Sequence, residues 1–312
     1  MKVLLAGGSG AIGLPLIRHL RQAGHEITAI HRSPEGDPPL RAAGASALQV
    51  DVLDRPALLK AMTGERFDGV ISELTALKKA PLTHRRLTMT DRLRKDGTAN
   101  LLAAAAATGA RRFVTQSMVY GYGFRDFGDR VLTEDDPFAE LGEGRFEAHL
   151  AAMRSNEAQV LGSDSVEGVA LRYGLFYGPG SAGETFASLL RGRRLPAVKG
   201  VGAKSLIYIE DAASLTVTAL EKAPASQAYN AVDDEPVNFN QFLRTMAAAI
   251  GAPQPMRMPA WVFAFTPYAK RAMRGDLRVS NTRAKNELGW SPVAPTYRDG
   301  IELFAKGYRS GS

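Results

Sequence analysis

The sequence predicts an α/β fold, a doubly wound parallel sheet joined to a smaller, mainly helical C-terminal lobe. Short apolar strands alternate with helical segments as far as about residue 178, a pattern typical of right-handed βαβ units. Beyond Gly178-Pro179-Gly180 the alternation weakens, and the chain becomes richer in proline and aromatic residues. With 312 residues, 45% of them hydrophobic and 23% charged, the chain can bury one large core or two modest ones.

Each element follows from its own pattern. Strands are predicted over 2–6, 26–31, 47–51, 68–72, 112–116, 166–173, 205–209 and 227–232, and helices over 11–22, up to the alanine-rich 101–107, and over 146–161. The last two strands are expected to return to the first sheet. A nucleotide-binding domain would then comprise 1–178 and about 205–235, and a substrate-binding lobe 179–204 and 236–312.

Composition excludes several classes of protein. No run approaches the 18 apolar residues that a membrane span requires, and a cytoplasmic protein is expected. The absence of cysteine excludes disulfides, thiol nucleophiles and thiolate metal sites. The histidines are not paired as H-x-x-x-H and there is no G-x-S-x-G elbow, so we expect neither a bound metal nor a hydrolase.

The net charge is +7, from 39 Lys+Arg against 32 Asp+Glu. Basic residues are spread out except around 191–194 and 270–278, and no nucleic-acid motif accompanies them, so no nucleic-acid partner is expected. Two interpretations of the charge remain open, a solvated surface and the attraction of an anionic ligand.

A glycine-rich loop lies between the first strand and the first helix. Glycines at such a position allow a tight turn and let backbone amides approach a pyrophosphate at the helix N-terminus. The loop therefore predicts dinucleotide binding and a Rossmann-type sheet, with cofactor contacts at Gly7, Ser9, Gly10, Ala11, Ile12 and Gly13.

The end of the second strand bears on the choice of cofactor. An NAD-specific site would place a carboxylate there for the ribose hydroxyls, but this strand ends in His31-Arg32-Ser33. Arg32 has the guanidinium that can hold a 2′-phosphate, with Ser33 beside it. We predict NADPH rather than NADH; the alternative is that Arg32 is an exposed arginine with no ligand.

Taken together, several motifs resemble those of the extended short-chain dehydrogenase/reductase family through essentially the whole chain. They are GGSGAIG at 7–13, Asp51-Val52, DGTAN at 96–100, Val119-Tyr120-Gly121, LRYGLFYGP at 171–179, YIED at 208–211 and KNELGWSP at 285–292. The resemblance implies a nicotinamide cofactor between two lobes. By position it implies adenine contacts at Asp51 and Val52, main-chain contacts at Leu74 and Thr75, and further cofactor contacts at Gln116, Met153, Tyr173, Gly174 and Phe176.

The departures from that family concern its catalytic residues. Counting back from Glu157, the positions of the usual Tyr-x-x-x-Lys hold His149 and Met153, and none of the nine tyrosines has a lysine four residues later. Gln116 stands where the family has Ser or Thr, with Ser117 beside it. Leu175 and Lys204 replace the asparagine and arginine common in sugar-modifying relatives, which argues against a nucleotide-sugar substrate.

Hydride transfer still needs something to meet the charge that develops on a carbonyl oxygen. The candidates are Ser117, His149, which can titrate near neutral pH, and a phenol of the substrate itself. An apolar aromatic ketone would suit a lobe that contains Trp261, Phe263, Phe265 and Tyr268. These features resemble atypical family members that reduce aromatic polyketides in angucyclinone pathways.

The sequence therefore predicts an NADPH-dependent ketoreductase, monomeric or homodimeric, that acts on an apolar, polycyclic aromatic ketone. Two alternatives stay open: a nucleotide-sugar epimerase or dehydratase, and a non-catalytic NADP-binding sensor.

Overall fold

The structure, a computed structural model, describes residues 1–76, 84–139, 144–261 and 267–310. The described strands are β1 (Lys2–Ala6), β2 (Glu26–His31), β3 (Ser46–Gln49), β4 (Gly69–Ser72), β5 (Arg112–Met118), β6 (Val131–Leu132), β7 (Glu167–Tyr173), β8 (Leu175–Tyr177), β9 (Ala197–Val198), β10 (Ala203–Lys204), β11 (Leu206–Tyr208), β12 (Gln227–Ala231), β13 (Val237–Asn238), β14 (Arg257–Met258) and β15 (Arg278–Val279). The ends of the eight predicted strands agree with the observed ends within two residues.

The described α-helices are α1 (Gly13–Gln22), α2 (Asp37–Ala42), α3 (Arg55–Ala61), α4 (Thr88–Arg92), α5 (Thr98–Thr108), α6 (Glu147–Leu161), α7 (Ala182–Arg191), α8 (Ile209–Lys222), α9 (Phe239–Ala249), α10 (Pro267–Arg274), α11 (Thr282–Leu288) and α12 (Tyr297–Ser310). A π-helical stretch, Leu93–Gly97, joins α4 to α5. None of the helices in these ranges combines the length and the apolar character needed to cross a membrane.

Seven strands form the central sheet in the order β12-β7-β5-β4-β1-β2-β3. All neighbouring pairs are parallel. The order reverses at β1, so the carboxyl ends of β1 and β4 border the crevice in which doubly wound sheets bind nucleotides. The predicted doubly wound, Rossmann-type sheet is confirmed.

One predicted strand lies elsewhere. β12 joins the central sheet beside β7 as expected, but β11 pairs with β8 in a separate two-stranded parallel sheet. The prediction that 205–209 returns to the first sheet is therefore wrong. Its apolar run is buried because the two faces of β11 belong to different cores, with Ile207 on one side and Leu206 and Tyr208 on the other.

The cores explain why these elements form. One face of the central sheet packs on α1 and α8 through a core that includes Leu5, Leu16 and Leu220, and the other packs on α3 and α5 through Leu58, Leu101 and Phe113. A third core lies in the C-terminal part, around α7, α9 and α12. Strands buried on both faces read as continuous apolar runs, as β1 does.

Candidate active site

The glycine loop approaches its neighbours too closely for side chains. Gly7 has φ of +92°, and a Cβ there would lie 2.3 Å from the backbone oxygen of Glu73. A Cβ on Gly13 would lie 2.0 Å from the oxygen of Gly8. Within the described helix α1, the first turn holds no acidic residue, so no carboxylate there offsets the positive end of the helix dipole. This cradle fits a dinucleotide pyrophosphate.

The rest of the predicted loop lies around that cradle. Gly10 N donates to the oxygen of Gly7 at 2.9 Å, which closes the turn. Ser9 and Ala11 are exposed at its outer side, and Ile12 is buried at the N-cap of α1.

The predicted adenosine end is open at Arg32. Arg32 and Ser33 follow β2 and are exposed, and the guanidinium forms no ion pair with any residue that the structure describes. Asp51 and Val52, the predicted adenine contacts, form hydrogen bonds within the protein. Asp51 Oδ1 accepts one from the backbone N of Leu53 at 2.9 Å, and the backbone oxygen of Val52 accepts one from Asn100 Nδ2 at 2.9 Å. Both groups therefore shape the turn after β3.

Sequence reasoning missed a buried acid at the end of β4. Glu73 is 2% exposed, its Oε1 accepts a hydrogen bond from the Tyr173 hydroxyl at 2.9 Å, and that hydroxyl lies 2.6 Å from Thr216 Oγ1. Glu73 Oε2 has no partner among the described residues. Burial raises the pKa of the Glu73 carboxyl to about 8, so the group is mainly protonated at neutral pH. An acid directly after a buried strand was the available signal.

The other predicted positions line the ends of β4 and β7. Leu74 and Thr75 continue from Glu73, with Leu74 half-buried beside Gly97. After Tyr173, Gly174 N donates to Ala231 O at 2.9 Å, and the Phe176 ring lies edge-on to Tyr173 at 5.1 Å. The topology thus brings these positions to the edge that carries the glycine loop.

A buried ion pair fixes α6 against the sheet. Arg172 of β7 donates to Glu157 Oε2 at 2.8 Å and to the Tyr122 hydroxyl at 2.9 Å. Asn156 Nδ2 also donates to the backbone oxygen of Gln116 at 2.8 Å. Since Glu157 is anchored in this way, the positions four and eight residues before it lie towards the carboxyl edge of the sheet, on one face of α6.

Those two positions have unusual surroundings. Met153 is 2% exposed in an apolar cluster with Phe124, Phe146 and Leu150. His149 is 4% exposed, its Nδ1 lies 2.5 Å from Asp91 Oδ2, and its Nε2 lies 2.8 Å from His84 Nδ1. The fifteen residues of α6 include neither tyrosine nor lysine.

Hydrogen-bonding rules assign one proton of this cluster. A carboxylate only accepts, so His149 Nδ1 carries the hydrogen towards Asp91. A second hydrogen lies between His149 Nε2 and His84 Nδ1, and either ring can donate it. Burial, followed by the neighbouring His149 and Arg145, lowers the pKa of His84. His149 thus has both ring nitrogens engaged, and His84 connects it to a cavity of about 540 Å³ that His84, His149 and Arg145 help to line.

Ser117 lies on β5, which pairs with β7 in the central sheet. It pairs in register with Arg172, its side chain is fully buried, and its Oγ has no hydrogen-bond partner within the described ranges. Of the predicted aromatic set, Trp261 is 65% exposed and packs in no core. Phe263 and Phe265, and the side chain of Tyr268, lie outside the described residues. Across the described ranges, no group of three or more His, Asp or Glu side chains is placed to hold a metal ion.

Comparison with known proteins defines the class. Residues 3–231 match the model of the NAD dependent epimerase/dehydratase family, and the chain belongs to that family. It is 35% identical to the 3-diazoavenalumate denitrifying reductase of a Streptomyces species, over 96% of this chain and 99% of that one. It is 29% identical to the 2-alkyl-3-oxoalkanoate reductase of Stenotrophomonas maltophilia, over 81% and 77% of the two chains.

Among solved structures, UDP-glucose 4-epimerase of Thermus thermophilus, in complex with NAD, superposes with a TM-score of 0.79 at 20% identity. The alignment covers all of both chains, which confirms the fold. The family and its reductases support an oxidoreductase of the short-chain dehydrogenase/reductase type with a nicotinamide cofactor.

Proposed function

We propose that the protein is an NADPH-dependent reductase that transfers a hydride to an aromatic acceptor without a tyrosine acid. The observation that carries this proposal is the occupancy of α6, where His149 and Met153 stand at the positions that the family resemblance gives to tyrosine and lysine. Nicotinamide cofactors carry the hydride, and the protein supplies binding, orientation and electrostatics.

The residues divide this work along the carboxyl edge of the sheet. The loop from Gly7 to Gly13 would hold the pyrophosphate, and Arg32 would hold a 2′-phosphate. The side chains near Gln116, Met153 and Phe176 would then surround the reacting ring. Because Met153 has no charge, the ribose there would have to be positioned by shape and by backbone groups.

For the aromatic ketone predicted from the sequence, hydride addition leaves an alkoxide that takes one proton to become an alcohol. The buried Ser117 hydroxyl is one group that could stabilise this charge. An imidazolium in the His84–His149 pair is a second source. It would pass its proton to the alkoxide and become neutral, and Asp91 would stabilise the charged form before the transfer. A phenol next to the ketone is the third, as an acid within the substrate.

A diazo group is a second candidate acceptor, favoured by the relative at 35% identity, which is named as a denitrifying reductase of a diazo compound. A hydride that replaces N₂ on an aryl diazonium gives the arene and free N₂, and this balance includes no proton. An enzyme of this kind would have no use for a tyrosine acid, which agrees with the composition of α6.

The decisive experiment uses NADPH carrying deuterium at one or the other face of C4. The purified chain is incubated with hydroxylated polycyclic ketones and, separately, with aryl diazonium salts. Mass spectrometry then measures the deuterium content of each product. Reactions without enzyme correct for spontaneous reduction. Deuterium on a carbinol carbon supports the ketone, and deuterium on a ring carbon with release of N₂ supports the diazo group.

The same experiment separates the alternatives. Saturable NADPH binding without label transfer to any acceptor would overturn the proposal in favour of a non-catalytic sensor. Conversion of a nucleotide sugar by the same preparation would favour the epimerase or dehydratase, against which Leu175 and the buried Lys204 argue.

A further inference from the structure

A strongly basic cavity lies between the segment after β5 and helix α10. Its volume is about 570 Å³, and it is lined by four cationic side chains, Arg125, Lys270, Arg271 and Arg274, against one acid, Asp126. Lys270, Arg271 and Arg274 belong to the basic run that the sequence leaves without a function. Such an excess of one charge in a concave site favours ligands of the opposite sign.

A buried lysine lies next to this cavity. Lys204 is 2% exposed, donates a hydrogen bond to the backbone oxygen of Gly275, and lines a second, narrow cavity without room for a water molecule, which Arg125 and Arg271 also line. Burial lowers the pKa of the Lys204 ammonium to about 8, although Asp276 and Asp126 oppose that effect. An anion bound in the adjacent basic cavity would offset part of the cost of holding the charged lysine in the interior.

Packed aromatic rings lie between the cavity and α6. Phe124 lines both cavities, stacks on Tyr120 at 5.1 Å between ring centres, and lies 4.1 Å from the ring centre of Phe146. Phe124 and Phe146 belong to the same apolar cluster as Met153 of α6. Phe124 is 7% exposed, so a flat ring would contact it where it lines the basic cavity, and the packed rings connect that contact to α6.

We infer that the substrate is an aromatic carboxylate, whose anionic group is bound in the basic cavity between Arg125 and Arg274 while its ring lies against the part of Phe124 that lines this cavity. This inference rests on the proposed function, because only that function makes the ligand of this cavity a substrate. It narrows the acceptor from any apolar aromatic compound to one with an acid at the end remote from the reacting group. Both the ketone and the diazo candidate can satisfy that condition.

Binding to the full chain saturated with NADP⁺ tests the inference, with 6-acetyl-2-naphthoate and its neutral carboxamide as probes in isothermal titration calorimetry. We expect the carboxylate to bind at least tenfold more tightly than the carboxamide. The double variant Arg125→Gln/Arg274→Gln should weaken the carboxylate about tenfold and leave the carboxamide unchanged. The control Lys222→Gln/Arg244→Gln removes two exposed charges elsewhere, on α8 and α9, and should match the wild type.

Equal affinity for carboxylate and carboxamide would overturn the inference, as would equal weakening by the cavity variant and the control. NADPH affinity and the thermal midpoint of each variant show whether it is folded. Because binding is measured with NADP⁺, failure of the proposed reduction leaves this result intact. A carboxylate that binds in the cavity but accepts no hydride would contradict the reductase alone.

Discussion

The two ends of the nucleotide crevice differ in how closely they keep the family pattern. At the β1–β2 end, a Cβ added to Gly7 or to Gly13 would lie only 2.3 or 2.0 Å from a backbone oxygen, so both positions require glycine. At the β5–β7 end, Gln116, His149 and Met153 stand at the three positions that the family resemblance gives to the residues that handle the proton. Under the proposed function, the first end would bind the cofactor and the second would determine the route of the proton, so substitutions at the two ends should have separate effects.

The largest expected effect is at the first end. Gly13→Ala would force a Cβ into the backbone of Gly8, so the loop must open. We expect NADPH affinity to fall at least a thousandfold, about 4 kcal/mol. Fluorescence titration of NADPH measures it, and Gly307→Ala, whose Cβ meets nothing within 4 Å, is the control. Retained affinity in Gly13→Ala would contradict the placement of the pyrophosphate.

At the second end, restoring the family lysine should be harmful. Met153→Lys places an ammonium in the cluster of Phe124, Phe146 and Leu150 without a partner. We expect this variant to lower the free energy of unfolding by about 3 kcal/mol. The control Met153→Leu should lower it by less than about 1.5 kcal/mol. Urea denaturation compares the two variants. Equal stability would show that this end can still accommodate a charged group.

Glu73 lies between the two ends and couples stability to pH. Its carboxyl pKa is raised from 4.5 to about 8 by burial, so the folded chain keeps a proton that the unfolded chain releases in this window. Wild-type stability should therefore fall as pH rises from about 5 to 8. Glu73→Gln removes this dependence. Between pH 6 and 8 we expect the variant to lose about 2 kcal/mol less of its free energy of unfolding than the wild type loses.

Chemical denaturation at both pH values measures that difference. Glu26→Gln, which changes an exposed carboxylate on β2, should retain the wild-type profile. Parallel profiles for wild type and Glu73→Gln would mean that Glu73 is ionised in the folded protein.

The smallest effect concerns the choice of cofactor. Arg32→Ala removes the exposed guanidinium after β2 and should lower the ratio of NADPH to NADH affinity about tenfold, or about 1.4 kcal/mol. Arg244→Ala, an exposed arginine on α9, should leave the ratio unchanged. If both variants give the wild-type ratio, the 2′-phosphate is bound elsewhere or NADH is the cofactor.

Sequence patterns predicted what is local. The strand 26–31 and the glycine loop follow from consecutive residues, and both are where they were expected. The contact between His84 and His149 joins residues 65 apart, which no spacing rule for metal or catalytic pairs would find. For β11, apolar composition predicted the strand correctly but could not show which sheet it joins, since both of its faces are covered.

The shared strand β11 also bears on how the molecule unfolds. Ile207 belongs to the core beneath the central sheet, and Leu206 and Tyr208 belong to the core of the C-terminal part. Neither core can lose its packing on this strand without exposing the other. The central sheet and the C-terminal part should therefore melt in one cooperative transition, and a ligand that binds either part should raise the melting temperature of both.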